Sequence, residues 1–268
     1  MRSSPFNSLR QVSLGLLVPA LVLVVWQTVG SMPQMAGILP TPLKVLEGWQ
    51  TWIFGPAGMG LNPYSGTWLS NVQYSSMRVV QGFVLAAAIG VPIGLLIGWS
   101  RLFMHLVDPL IQSLRPIPIT AWLPFSIALF GIRDMGSIFL IFLGGFYAIV
   151  VNTTQGARDV ERNLMRAAMM MGASRRQLLH RVVLPAAMPS IFTGLRIGLG
   201  ISWTAVIVSE MVAVKSGLGY VLWDAYYVGR MDIVLADMVS IGMMGFLSDR
   251  LIVLLERKVL VWRILQSH

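Results

Sequence analysis

The chain has 268 residues, a formal net charge of +9, 56% hydrophobic residues, only 12% charged residues and a mean hydropathy of +0.72. A soluble domain carries about a quarter charged residues, so this balance excludes an ordinary water-soluble fold and points to lipid. Cysteine is absent, which removes disulfide frameworks, thiol chemistry and thiolate metal sites.

In chain order, apolar stretches long enough to cross a bilayer fall at about 12–30, 72–99, 107–130, 137–155, 187–213 and 235–255. The first follows Arg2 and Arg10, and no small-residue cleavage site of the A-x-A kind succeeds it, so it reads as a retained span rather than a signal peptide. Between the first two spans lies a predicted interfacial helix. Thr41 caps it, Pro42 suits its first turn, and Leu43, Leu46, Trp49 and Ile53 share a face. Trp49, Trp52 and Trp68 are expected at headgroup level, and GPAGMGLNPYSG reads as an irregular loop. On the second span Gly82, Ala86, Gly90, Gly94 and Gly98 recur every four residues; Gly194, Gly198 and Ser202 repeat this on the fifth. Such small-residue faces let membrane helices approach closely. The third span is interrupted by Asp108, Arg115, Pro116, Pro118 and Pro124.

The distribution of basic residues orients these spans. Arg158, Arg162, Arg166, Arg175, Arg176 and Arg181 share one short stretch, and Arg250, Arg257, Lys258 and Arg263 lie near the C-terminus. With six spans, these ten fall on one side together with Arg2, Arg10 and Arg101, against Lys44, Arg133, Lys215 and Arg230 on the other. By the positive-inside rule the richer side is cytoplasmic, which places both termini there and explains the net charge without nucleic acid.

Several chemistries are excluded by motif. A phosphate-binding P-loop needs lysine directly after glycine, but Lys44, Lys215 and Lys258 follow Leu43, Val214 and Arg257. His105, His180 and His268 lack metal-ligand spacing, and neither HExxH nor a nucleophile elbow occurs. Energy for any driven process must therefore come from another chain.

The segment 156–185 is patterned differently from a solvated loop. Val160, Leu164, Ala167, Ala168 and Met171 form a helical stripe over 158–171, Gly172 suits its end, and Ser174 with Gln177 has capping-box spacing. The second helix is expected to stop before Pro185, which disfavours helical geometry at Leu184.

Within this segment, RAAMMMGASRRQLLHRVVLP resembles the cytoplasmic loop of binding-protein-dependent ABC importer permeases, patterned E-A-A, three residues, G, nine residues, I, any residue, L-P. Ala167, Ala168, Gly172, Leu184 and Pro185 match in register; Val182 replaces isoleucine and Arg166 the glutamate. LPTPLKVLE, AWLP, VVNTTQGA, IFTGLRIGLGISW, SEM and GLGYVLWDAY extend the resemblance to the nitrate/sulfonate/taurine group. The NTT, IFTGLRIG and WDAY strings look most like nitrate, bicarbonate and cyanate permeases, while RPIPITAWLP and FGIRD resemble the sulfonate branch.

The resemblance implies an all-α membrane protein of about six transmembrane helices with the type I ABC importer permease fold, multi-pass in the bacterial inner membrane. Residues 1–71 would hold the first helix and periplasmic segment, and 72–268 the importer core. It implies a homodimer, two cytoplasmic ATPases that bind ATP and Mg, and a periplasmic or lipid-anchored binding protein. No cofactor or catalytic residue is expected in this chain. Arg166, Ala167, Ala168, Gly172, Ala173, Ser174, Leu184 and Pro185 are the candidate ATPase-coupling residues. The expected cargo is a small anion, nitrate first, then bicarbonate, cyanate or sulfonate/taurine.

Ionisable residues within spans are costly and mark pathways or partners. Arg115, Arg196 and Glu210, with Ser202 and Trp203, are the candidate translocation-pathway residues; Arg78 also lies within a span. Arg196 reads either as an unpaired cation that favours an anionic substrate or as a tie between helices, and Glu210 as a gate or an interhelical partner. An ion-coupled secondary transporter is the competing reading, although such folds show internal repeats and the two halves here do not resemble each other.

Overall fold

The computed structural model describes residues 5–35, 37–56 and 63–260, with side chains from Leu17 onward. Arg2, Arg263, His268, the side chain of Arg10 and the middle of the GPAGMGLNPYSG loop lie outside the described residues.

The described chain is helical throughout: α1 (Pro5–Gly30), α2 (Pro42–Phe54), α3 (Trp68–Trp99), α4 (Arg101–Leu106), α5 (Asp108–Leu114), α6 (Leu123–Phe130), α7 (Asp134–Arg158), α8 (Arg162–Met170), α9 (Arg175–Leu178), α10 (Leu184–Ala213), α11 (Leu218–Tyr227) and α12 (Met231–Val259). Among the described residues, four helical runs are long and apolar enough to cross a membrane: Trp68–Trp99, Asp134–Arg158, Arg175–Ala213 and Met231–Val259. The pair Arg101–Leu114 and Ile119–Phe130, bent by 92° where Arg115–Pro118 break the helix, makes a fifth when counted as one span. The described apolar stretch of α1, Leu17–Gly30, is shorter.

The chain divides into two compact units, residues 1–69 with 221–240 and residues 70–220 with 241–268. In the first, Thr41 accepts a hydrogen bond from the Lys44 N–H and Pro42 opens α2, as the sequence predicts. The exposed side of α2 carries Leu43 and Leu46, while Val45, Gly48 and Trp52 are buried. Trp52 is fully buried, with its indole N–H on Thr67 Oγ1 at 3.2 Å, so it faces the protein rather than lipid. Gly48 makes room for the Asp232 carboxylate, which pairs with Arg230 through two bonds of 2.9 and 2.8 Å. Tyr64 donates to Asp224 at 2.7 Å, and Trp68 to Ser240 at 2.9 Å.

The second unit is built around α7, in which Leu140, Ile141, Ile149 and Val150 are almost wholly buried. Both small-residue faces pack on it. A side chain added at Gly82, Gly90, Gly94 or Gly98 would strike Ile141, Ile149, Thr153 or Ala157 respectively. The offset between partners is the same at every step, so α3 and α7 run parallel. The face of α10 pairs the other way, Gly194 against Asn152 and Gly198 against Gly145, with Gly156 against Ser190, so α10 is antiparallel to α7. Dense packing of small residues replaces the hydrophobic drive that is missing inside a bilayer. Because α3 and α7 are parallel and consecutive, the bent pair between them must carry the chain from one end of these helices back to the other.

Candidate coupling loop and intramembrane charges

The loop between α7 and α10 is shaped by local hydrogen bonds. Asp159 ends α7 with its N–H on the Gln155 carbonyl, so Arg158 belongs to the long helix and the loop helix α8 starts only at Arg162. This corrects the expected helix 158–171. At its far end the Gly172 N–H reaches the Met169 carbonyl (2.9 Å) and the Ala173 N–H the Ala168 carbonyl (3.1 Å). This is a Schellman closure, and it requires the left-handed backbone that Gly172 adopts at φ +83°. The capping box then starts the next turn: Ser174 Oγ accepts from the Gln177 N–H, and Gln177 Oε1 accepts from the Ser174 N–H at 2.8 Å.

The expected stop before Pro185 is also corrected. Leu184 is helical (φ −59°, ψ −51°), and a π-turn at Leu179–Val183 leads from α9 into α10, giving one run from Arg175 to Ala213. Pro185 opens α10 directly after the π-turn, and it is at this wider turn that the continuous run accommodates the missing N–H. Ala168 and Leu178 are buried, whereas Arg166 and Ala167 are exposed and Met170 and Met171 project at 87% and 81% exposure. The loop thus has an anchored side and an open apolar side.

The intramembrane charges divide sharply. Glu210 is fully buried and accepts from Ser75, from Arg78 Nη1 (2.6 Å) and from the Gly219 N–H (2.9 Å). Arg78 also bonds Asp134 Oδ1 (2.8 Å) and both the carbonyl and hydroxyl of Ser216. Next to it, Asn71 accepts from Gly217, whose φ of +107° and crowding by the Glu210 carboxylate demand glycine. Full satisfaction is what allows such charges to remain buried.

Arg196 is not the unpaired cation of one sequence reading. It forms a two-bond pair with Asp249 on α12 (2.8 and 3.1 Å). Ser202 is buried and faces the Ile141 carbonyl, and Trp203 donates to Ser248 at 2.9 Å, so both tie helices together. Of Arg78, Arg115 and Arg196, only Arg115, which is exposed, has no hydrogen-bond or ion-pair partner among the described residues. It lines a cavity of about 450 Å³ with Tyr147, which the sequence does not single out, and Asn152, which the sequence marks only as part of the NTT string. Partners such as Asp249 for Arg196, Asp134 for Arg78 and Ser75 for Glu210 lie 53 to 135 residues away in the chain, beyond any local pattern.

Several long apolar helices packed parallel and antiparallel around α7, with a bent amphipathic loop between two of them, are the architecture of a multi-pass membrane protein. The chain belongs to the family of binding-protein-dependent transport system inner membrane components, whose model matches residues 90–261. A Methanocaldococcus jannaschii protein named as an ABC transporter permease is 40% identical over 260 residues, covering 95% of this chain and 93% of its own. The nitrate import permease of Synechocystis sp. is 36% identical over 248 residues (90% and 86%). The taurine transport system permease of Escherichia coli is 35% identical over 254 (94% and 90%). A chain of the MetNI methionine ABC transporter in an inward facing conformation superposes with a TM-score of 0.65 at 20% identity, over 75% of this chain and 99% of its own, and shares the type I importer permease fold. As a permease subunit the protein has no catalytic role, and ATP is bound by a partner ATPase.

Proposed function

We propose that this chain forms the translocation pathway of an ATP-driven importer for a small anion, nitrate first, with bicarbonate, cyanate or a sulfonate such as taurine next. It would act as a homodimer with two cytoplasmic ATPases and a periplasmic or lipid-anchored binding protein, in a bacterial inner membrane crossed six times with both termini inside. The carrying observation is the loop 156–185, closed by Gly172 and restarted by Ser174, with Met170 and Met171 left open on one side. An apolar, mostly helical knob between two spans is the shape that docks into a groove on a partner. Family membership removes the secondary-transporter alternative. The anion is supported by relatives named for nitrate and taurine at nearly equal identity, both cargoes carrying an oxyanion group.

Reconstitution of the permease with its ATPase and binding protein in sealed vesicles tests this. ATP-dependent uptake of labelled nitrate is expected, and uptake of taurine but not nitrate would move the assignment to the sulfonate branch. Uptake that proceeds without the ATPase would overturn the importer reading altogether.

A further inference from the structure

We propose that the cavity at the break between α5 and α6 is a hydrated station for the anion in transit, and that Arg115 supplies its positive potential. The choice of ligand rests on the small-anion reading above, but the cavity itself is argued from geometry.

Its depth is fixed by the helices that line it. Tyr147 and Asn152 come from the middle turns of α7, and Ile197 and Ile201 from the middle of α10. Tyr147 lies about 17–20 Å from either end of α7 at 1.5 Å per residue, which is near the centre of a hydrocarbon layer. Non-helical backbone is tolerated at that depth only where protein covers it or where it lines a water-filled space. The Arg115–Pro118 break lines this cavity. The same reasoning holds for the guanidinium, since an intramembrane charge without a carboxylate needs water or a ligand anion.

Two further features suit an anion. Tyr147 is buried, with 8% of the residue exposed, lines the cavity, and its hydroxyl has no hydrogen-bond partner among the described residues. The Asn152 amide spends one N–H on the Ala148 carbonyl (2.8 Å) and keeps another to donate. A planar guanidinium fork beside a phenol and an amide offers donors and no fixed negative charge, matching a small oxyanion. The remaining surface is aliphatic, so an anion would be held by few contacts and released readily. The other arginines at membrane depth cannot serve, because Arg78 and Arg196 are already neutralised by carboxylates.

The lack of native cysteine allows a direct test on the purified, intact transporter complex. A cysteine placed by Ala148→Cys, or by Val151→Cys should the first disturb packing, lines the cavity. Its reaction rates with anionic sulfonatoethyl and cationic trimethylammonium-ethyl methanethiosulfonates are compared. The thiolate fraction cancels in their ratio, which reports local potential. The ratio is expected to favour the anionic reagent and to fall roughly tenfold on adding Arg115→Ala, with Arg115→Lys retaining part of it. Nitrate is expected to slow the reaction in the Arg115 protein. Two inert cysteines, or a ratio indifferent to Arg115→Ala, would overturn the proposal. A ratio that behaves as expected while nitrate gives no protection would uphold the station and remove nitrate from the proposed function.

Discussion

Glu210 is fully buried, so its charge depends on Arg78, which Asp134 and Ser216 hold in place. Removing one partner of such a pair strands a buried charge, whereas removing both charges does not. Arg78→Ala is expected to lower stability by about 3–5 kcal/mol, while Arg78→Met with Glu210→Gln recovers much of it. Unfolding in detergent by added denaturing surfactant measures both, and equal losses in single and double variants would contradict the coupling. The sequence marks these residues as costly intramembrane charges, but their pairing spans 132 positions and follows no periodicity. The same holds for Arg196, where a cation deep in an apolar run has one appearance whether free or held by Asp249.

At the level of elements, features made by neighbours in sequence were legible: the Thr41 cap, the Gly172 turn, the Ser174–Gln177 box and the small-residue faces of α3 and α10. Features that depend on a longer context were not. Pro185 reads as a stop only if the helix before it keeps an α repeat; the π-turn at Leu179–Val183 shifts the register and lets the helix run on. Trp52 has the composition of an interfacial residue, but Thr67 gives its indole N–H a buried partner. For the loop, space around Gly172 is open, so substitution acts through backbone strain rather than collision. Asn tolerates a left-handed backbone better than a β-branched residue, for which the cost is about 1–2 kcal/mol. Stimulation of the ATPase by loaded binding protein in vesicles is therefore expected to fall in the order Gly172, Gly172→Asn, Gly172→Val, with all three inserted in the membrane. Full stimulation in Gly172→Val would separate the loop from coupling.

For the whole molecule, composition and the placement of arginines carried the membrane class and the orientation proposed, while the third span, read at 107–130, is so interrupted by charge and proline that hydropathy does not give its course. Its resolution comes from the parallel packing of α3 and α7, which no single-segment property contains. Arg101 and Arg133 are both exposed and flank the bent pair, so Arg101→Cys and Arg133→Cys are expected to label from opposite sides with an impermeant thiol reagent. Labelling from the same side would mean that the pair enters and returns. One consequence of the π-turn concerns mechanics. Because the helix does not stop at Pro185, the capped end of the loop and the Glu210 cluster are two ends of a single rod of 39 residues. At 1.5 Å per residue the rod is about 58 Å long, so a tilt of about 5° about its loop end sweeps the other end through about 5 Å. That stroke is comparable to the width of a small ion. On the coupling role proposed for the loop, a turn imposed on the Ser174 end would displace the Glu210–Arg78 cluster through the helix itself.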